Sequence, residues 1–110
     1  MIRVADYVIQ FLKEKGIDHI FTVTGRGILY LTDALAKSGM ESISVHHEQA
    51  AAYAAYGYAQ AKNDLGACLV STGCAATNAI TGVLCAWQDA VPCIFISGQN
   101  SLQETSRYTG

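Results

Sequence analysis

Charge is what this sequence has least of. Of its 110 residues 15% are charged and 51% hydrophobic, and the formal net charge is -2. Its seven lysines and arginines are scattered, so there is no basic field for a phosphate backbone, which argues against a nucleic-acid partner. No apolar run approaches the roughly 18 residues needed to cross a bilayer. Asp6, Lys13, Glu14 and Lys15 interrupt the N-terminal segment where a signal peptide would carry an unbroken apolar core. The chain therefore reads as cytoplasmic, with no membrane partner. Cys68, Cys74, Cys85 and Cys93 are separated by five, ten and seven residues and form no C-x-x-C pair for zinc or redox work. They read as buried thiols, with Cys74 set apart because a strand-to-helix turn there would stabilise a thiolate. Two nucleotide motifs fail as well. Gly25-Arg26-Gly27 lacks the third glycine of a dinucleotide fingerprint, Tyr30 standing in its place, and Gly73 to Asn78 lacks the Lys-Ser/Thr ending of a P-loop.

The length fits one domain with a real core, and the apolar excess suggests that some surface meets a partner. Val4, Val8, Phe11 and Leu12 recur at helical spacing, predicting a helix over 3–15 that ends at Lys15-Gly16. Strands are predicted at 19–23, 42–45, 66–71 and 91–96, the last with Pro92 near its start, where a missing donor is tolerated. Between them, helical spacing returns at 28–38, in the nearly uncharged run Ala50 to Ala59, and from near Gly73 through about Trp87. Alternating strands and helices, with strands apolar on both faces, define an α/β fold: a three-layer parallel sheet with helices on both faces. The small-sided helix at 50–59 is expected to pack on more than one side, including against a second copy in a dimer. Asn100 to Gly110 are polar and without period, and read as a loop, so that the domain is expected to be truncated at its C-terminal end.

Ligands of open α/β sheets bind at the carboxyl ends of the strands. Four clusters fall there: Thr24 to Gly27, His46 to Gln49, Thr72 to Asn78, and Ser97 to Gln99. Glu48 stands out because it precedes an alanine-rich buried helix. It is either an acid stabilised by a helix N-terminus or a carboxyl group whose pKa an apolar cleft raises toward neutrality for proton exchange. His46 and His47 point to opposite faces of an extended strand, which favours hydrogen-bonding roles over a shared metal or base.

Two long runs carry a resemblance. Residues 45–59, V-H-H-E-Q-A-A-A-Y-A-A-Y-G-Y-A, resemble the V-x-H-E-x-x-A-x-x-A-A-x-G-Y-A segment of thiamine-diphosphate enzymes of the acetolactate synthase type. Residues 71–99, S-T-G-C-A-A-T-N-A-I-T-G-V-L-C-A-W-Q-D-A-V-P-C-I-F-I-S-G-Q, resemble their T-S-G-P-G-A-T-N-x-x-x-G-x-x-x-A-x-x-D-x-x-P-x-x-x-I-x-G-Q segment. Ile20 to Gly25 is similar to their V-F-G-V-P-G. The resemblance implies a flavodoxin-like, thiamine-diphosphate-binding fold, here the N-terminal pyrimidine-binding domain. It implies that Glu48 hydrogen-bonds N1′ of the cofactor's aminopyrimidine and that Gly25, Thr72, Gly73 and Asn78 line the cofactor pocket. Gln99 matches a glutamine of substrate-side or structural role. The implied reaction is decarboxylation of a 2-oxo acid, with or without carboligation.

Departures fall on the pocket rim: Thr22 and Thr24 replace the glycine and proline of F-G-V-P-G, and Cys74 and Ala75 replace the proline and glycine of S-G-P-G. The family binds magnesium and diphosphate through a G-D-G motif in a separate domain, and no G-D-G occurs here. The resemblance therefore implies a diphosphate-binding domain or subunit as partner, a homodimer or tetramer as assembly, and no catalysis by this chain alone. A stand-alone small subunit paired with a diphosphate-binding subunit, and a non-catalytic assembly module, are the alternatives.

Overall fold

The computed structural model of the chain describes residues 1–105. Helix α1 (Val4–Glu14) leads into β1 (His19–Thr22), a 3-10 turn (Arg26–Ile28) and α2 (Leu29–Ser38). Strand β2 (Glu41–Ser44), α3 (Glu48–Lys62) and β3 (Gly66–Val70) follow, then α4 (Cys74–Asn78), α5 (Ile80–Gln88), β4 (Cys93–Ser97) and a 3-10 turn at Leu102–Glu104. The expected loop from Asn100 thus contains a short turn, and its last five positions lie outside the described residues. The single helix expected up to Trp87 is two helices, divided at Ala79.

The four strands are all parallel, in the order β2-β1-β3-β4. Side chains alternate across the sheet, as period-two geometry requires. Ile20, Ala67 and Leu69 join Ile9, Leu12, Ala34 and Leu35 of α1 and α2 in one core. Phe21, Cys68 and Val70 join Ala51, Ala52 and Ala55 of α3 in the other. Helices therefore cover both faces, as the alternating pattern requires. The chain moves from β1 outward to β2, then crosses back to β3 on the other side of β1. The strand order reverses between β1 and β3, and the loops after these two strands diverge to opposite faces, opening a crevice at their carboxyl ends.

Helix α3 explains the scarcity of charge in the middle of the chain. Ala51, Ala52, Ala55 and Ala59 are buried against the sheet and α5, and small side chains let backbones approach. A Cβ on Gly66 would fall 2.2 Å from the Ala55 carbonyl oxygen, and one on Gly82 would fall 2.4 Å from the Ala52 Cβ. The alanine face is used within the chain, and the exposed side of the helix presents Tyr53 and Gln60. At its far end α3 is tied to β1: the Tyr58 hydroxyl lies 2.9 Å from both Asp18 Oδ1 and His19 Nδ1, and Lys62 Nζ lies 3.1 Å from Asp18 Oδ1. His19, Lys62 and Tyr58 together hold the Asp18 carboxyl well below the usual carboxylate range. Tyr56 donates to Asp89 and so fixes the exit of α5.

Gly66→Ala is expected to destabilise the chain by about 1–3 kcal/mol through overpacking. Gly57→Ala, which meets nothing within 4 Å at mid-helix, is expected to stabilise it by about 0.5–1 kcal/mol. Urea unfolding midpoints of the two variants should move in opposite directions.

Candidate functional site

The crevice between β1 and β3 is closed at its base by tight contact of the two loops above it. The Gly27 N–H donates to Ser71 Oγ at 3.2 Å. A Cβ on Gly25 would fall 2.5 Å from Ser71 Oγ, and one on Gly27 would fall 2.1 Å from Thr72 Cγ2. Gly25 and Thr72 therefore belong to one packed seam, and Ser71, which residue type alone did not single out, stitches it. Below the seam, Thr22 is buried and its hydroxyl donates to the Leu69 carbonyl at 2.7 Å. That bond explains how a threonine is accommodated where the resembling family has glycine.

Gly73 adopts φ +60°, which favours glycine because an L side chain crowds the backbone there. No atom would lie within 4 Å of a Cβ at this position, so the backbone here faces open space at the carboxyl end of the sheet. Cys74 follows as the first residue of α4 and is exposed. A first helical position is where proline is favoured in other sequences, so Cys74 in place of proline leaves the turn intact. Of the other thiols, only Cys68 is a core group, buried and with its pKa pushed up to about 12 by loss of water; Cys85 and Cys93 are half-buried, which corrects the expectation that all are buried.

Glu48 is the first residue of α3, three residues beyond the end of β2, with Val45, His46 and His47 between. His47 caps the helix, its Nδ1 accepting from the Gln49 N–H at 3.1 Å, which gives it the hydrogen-bonding role its position suggests. His46 is exposed. Asn78, at the end of α4, donates from Nδ2 to Glu48 Oε2 at 3.0 Å. Two residues 30 positions apart, named separately in the two sequence runs, are thus joined by one hydrogen bond.

The direction of the Glu48 pKa corrects one expectation. The Asn78 amide, followed by the backbone N–H of Glu48 itself, holds the carboxyl below its ordinary value and outweighs the opposing effect of burial. Within residues 1–105 Glu48 is only half-buried, so no apolar cleft raises its pKa. Gln99 stands apart from the pair. It lines a groove of about 650 Å³ on the α1 side of the sheet, with Arg26, Ile96 and Asn100. No helix among the described residues is long and apolar enough to cross a membrane.

A parallel sheet with a switch-point crevice, and a carboxylate bonded to Asn78 at the carboxyl ends of its strands, is the arrangement of a ligand-binding α/β domain, and comparison with known proteins specifies the class. The model of the thiamine pyrophosphate enzyme N-terminal TPP binding domain matches residues 2–109, and the chain belongs to that family. It is 45% identical over 96 residues to the acetolactate synthase large subunit of Haemophilus influenzae, covering 86% of this chain and 17% of that protein. It is 40% identical over 97 residues to the acetolactate synthase isozyme 2 large subunit of Escherichia coli, covering 88% and 18%. A probable acetolactate synthase large subunit of Methanocaldococcus jannaschii is 40% identical over 95 residues, covering 86% and 16%. The chain thus spans about a sixth of the length of the curated relatives it matches.

Asn78→Ala is expected to return the Glu48 pKa upward toward its ordinary value, read by carboxyl-carbon NMR titration. A lowered folded pKa adds stability that is present above the unfolded pKa and lost as pH falls through the folded one. The variant should therefore lose stability near neutrality and lose less of it on acidification. An unmoved Glu48 titration would show that Asn78 does not set it.

Proposed function

We propose that this chain is the pyrimidine-binding domain of an acetolactate synthase-like enzyme, and that Glu48 is its catalytic proton carrier. The observation that carries this reading is the Glu48–Asn78 hydrogen bond at the carboxyl end of the sheet. The residues fit an aminopyrimidine. An ionised carboxylate has about four acceptor positions, and the groups that lower the Glu48 pKa, Asn78 and its own backbone amide, leave capacity for a protonated ring nitrogen. Gly73 offers backbone with no side chain in the way.

When bound, thiamine diphosphate supplies the electron sink for decarboxylation of a 2-oxo acid. The part of this chain is to hold and move one proton. Glu48 shares a proton with N1′ of the aminopyrimidine, while Asn78 fixes the orientation of the carboxylate. The seam of Gly25, Ser71 and Thr72 would form part of the pocket floor that holds the cofactor. The lowered pKa belongs to a carboxylate that water still reaches. A second domain laid over the crevice removes that water and raises the pKa toward the range suited to proton exchange.

That covering domain, on this reading, is the diphosphate-binding domain, which also holds magnesium and lies outside residues 1–110. Carboligation, assembly as a dimer or tetramer, and a cytoplasmic location belong to the same proposal. Gln99, on the α1 side, is a structural residue rather than a contact of the reacting atoms.

Glu48→Gln in the complete enzyme is expected to slow hydrogen–deuterium exchange at C2 of bound cofactor by at least about 100-fold, with cofactor affinity changed much less. Exchange at the wild-type rate would remove Glu48 from proton transfer.

A further inference from the structure

The groove of about 650 Å³ on the α1 side of the sheet has the size of a small-molecule site. Two cations line it, Arg3 and Arg26. Arg3 is committed within the fold: its Nη2 lies 2.6 Å from Asp6 Oδ1 and 2.8 Å from Asp33 Oδ2. Arg26 is not. Its side chain is 91% exposed, and among the described residues its one carboxylate partner is Glu104, at 3.4 Å. An exposed pair at that distance contributes little, so another anion can take the place of Glu104 at small cost. Tyr30, Asn100 and Ser101 line the same groove and add uncharged hydrogen-bonding groups.

The base of the Arg26 side chain is held still. On either side of it Gly25 packs on Ser71 and Gly27 on Thr72, and the Gly27 N–H donates to Ser71 Oγ at 3.2 Å. The loop after β4 clamps the same segment from the other side. A Cβ on Gly98 would fall 2.3 Å from the Gly27 carbonyl oxygen and 2.9 Å from Ile28 Cγ2. A long cation thus stands on a fixed base, next in sequence to two residues of the seam between the β1 and β3 loops. A charge anchored in this way can orient a bound molecule relative to that seam.

We infer, on the reading of this domain as part of a 2-oxo acid decarboxylase, that Arg26 determines specificity: its guanidinium binds a second anionic group of the substrate, remote from the bond that breaks. The planar guanidinium fork matches the oxygens of such a group two at a time. The scissile carboxylate is a poor partner. A guanidinium held on it would stabilise a charge that is lost as carbon dioxide leaves, and so would slow the step. A distal anion keeps its charge throughout. Its binding is equal in ground and transition states and acts on KM more than on kcat.

Decarboxylation of 2-oxoglutarate and of 2-oxohexanoate by the complete enzyme, loaded with thiamine diphosphate and magnesium, tests this assignment. The two acids are similar in length, and only the first carries a distal carboxylate. The wild-type ratio of kcat/KM should favour 2-oxoglutarate by at least about tenfold, and Arg26→Gln should lower that ratio by about 10- to 100-fold. The change should lie mainly in KM. Arg26→Lys, which keeps the charge, should retain part of the preference. A wild-type ratio near one, or a ratio that Arg26→Gln leaves unmoved, would overturn the role of Arg26 while turnover of either acid upholds the decarboxylase reading. Release of carbon dioxide from neither acid by the wild-type enzyme would overturn both.

Discussion

Helix α3 lies so close to β3 and α5 that a Cβ on Gly66 or on Gly82 would run into Ala55 or Ala52. This contact does more than fill a core. It fixes the height of α3 along β3, and with it the position of Glu48 in the first turn of the helix. It fixes α5 in the same way, and α4, which carries Asn78, leads directly into α5. The 3.0 Å bond between Asn78 and Glu48 therefore spans two helix ends whose separation is set by backbone contact further down. Alanine and glycine suit that task because they have no side-chain rotamers to rearrange.

A second constraint acts across the crevice. The β1 and β3 loops diverge to opposite faces, so nothing in their covalent connection keeps them together. Ser71 Oγ on the Gly27 N–H, Gly25 packed on Ser71, and Gly27 packed on Thr72 supply the link. The Thr22 hydroxyl on the Leu69 carbonyl repeats it one layer lower. The loops thus form a stiff floor while Gly73, one residue beyond the seam, remains open. Stiffness below and access above is what a site must have if its carboxylate is to meet a ring in a fixed orientation.

The sheet, its parallel sense and both helical layers were legible in the sequence, because hydrophobic period and glycine placement are local properties. Glu48 was legible as an anomaly, and only the two family-like runs gave it a partner class. The break at Ala79 was not legible, since the residues around it continue helical spacing. Nor was the direction of the Glu48 pKa. The flanking sequence is apolar and suggested a dry cleft, but burial depends on what lies above the residue in space. The cover over the alanine face of α3 was not legible either: an uncharged helix has to be covered, and sequence does not say that α5 and the sheet do it.

The half-buried state of Glu48 and that of β4 have a common origin. Each lies where a surface with interior character meets water within residues 1–105. For β4 the mismatch is between an apolar strand and one-sided pairing. For Glu48 it is between the proposed proton-transfer role, which wants a pKa nearer neutrality, and a hydrogen bond that pulls the pKa down. Covering Glu48 by a second domain would cost desolvation of an ionised carboxylate, and that cost is lowered when the covering brings a proton or a protonated ring nitrogen into contact. On the proposed reading, closure and proton sharing are one event. A carboxylate kept ionised in the open state and made basic only when covered cannot run its proton chemistry before cofactor and second domain are both in place.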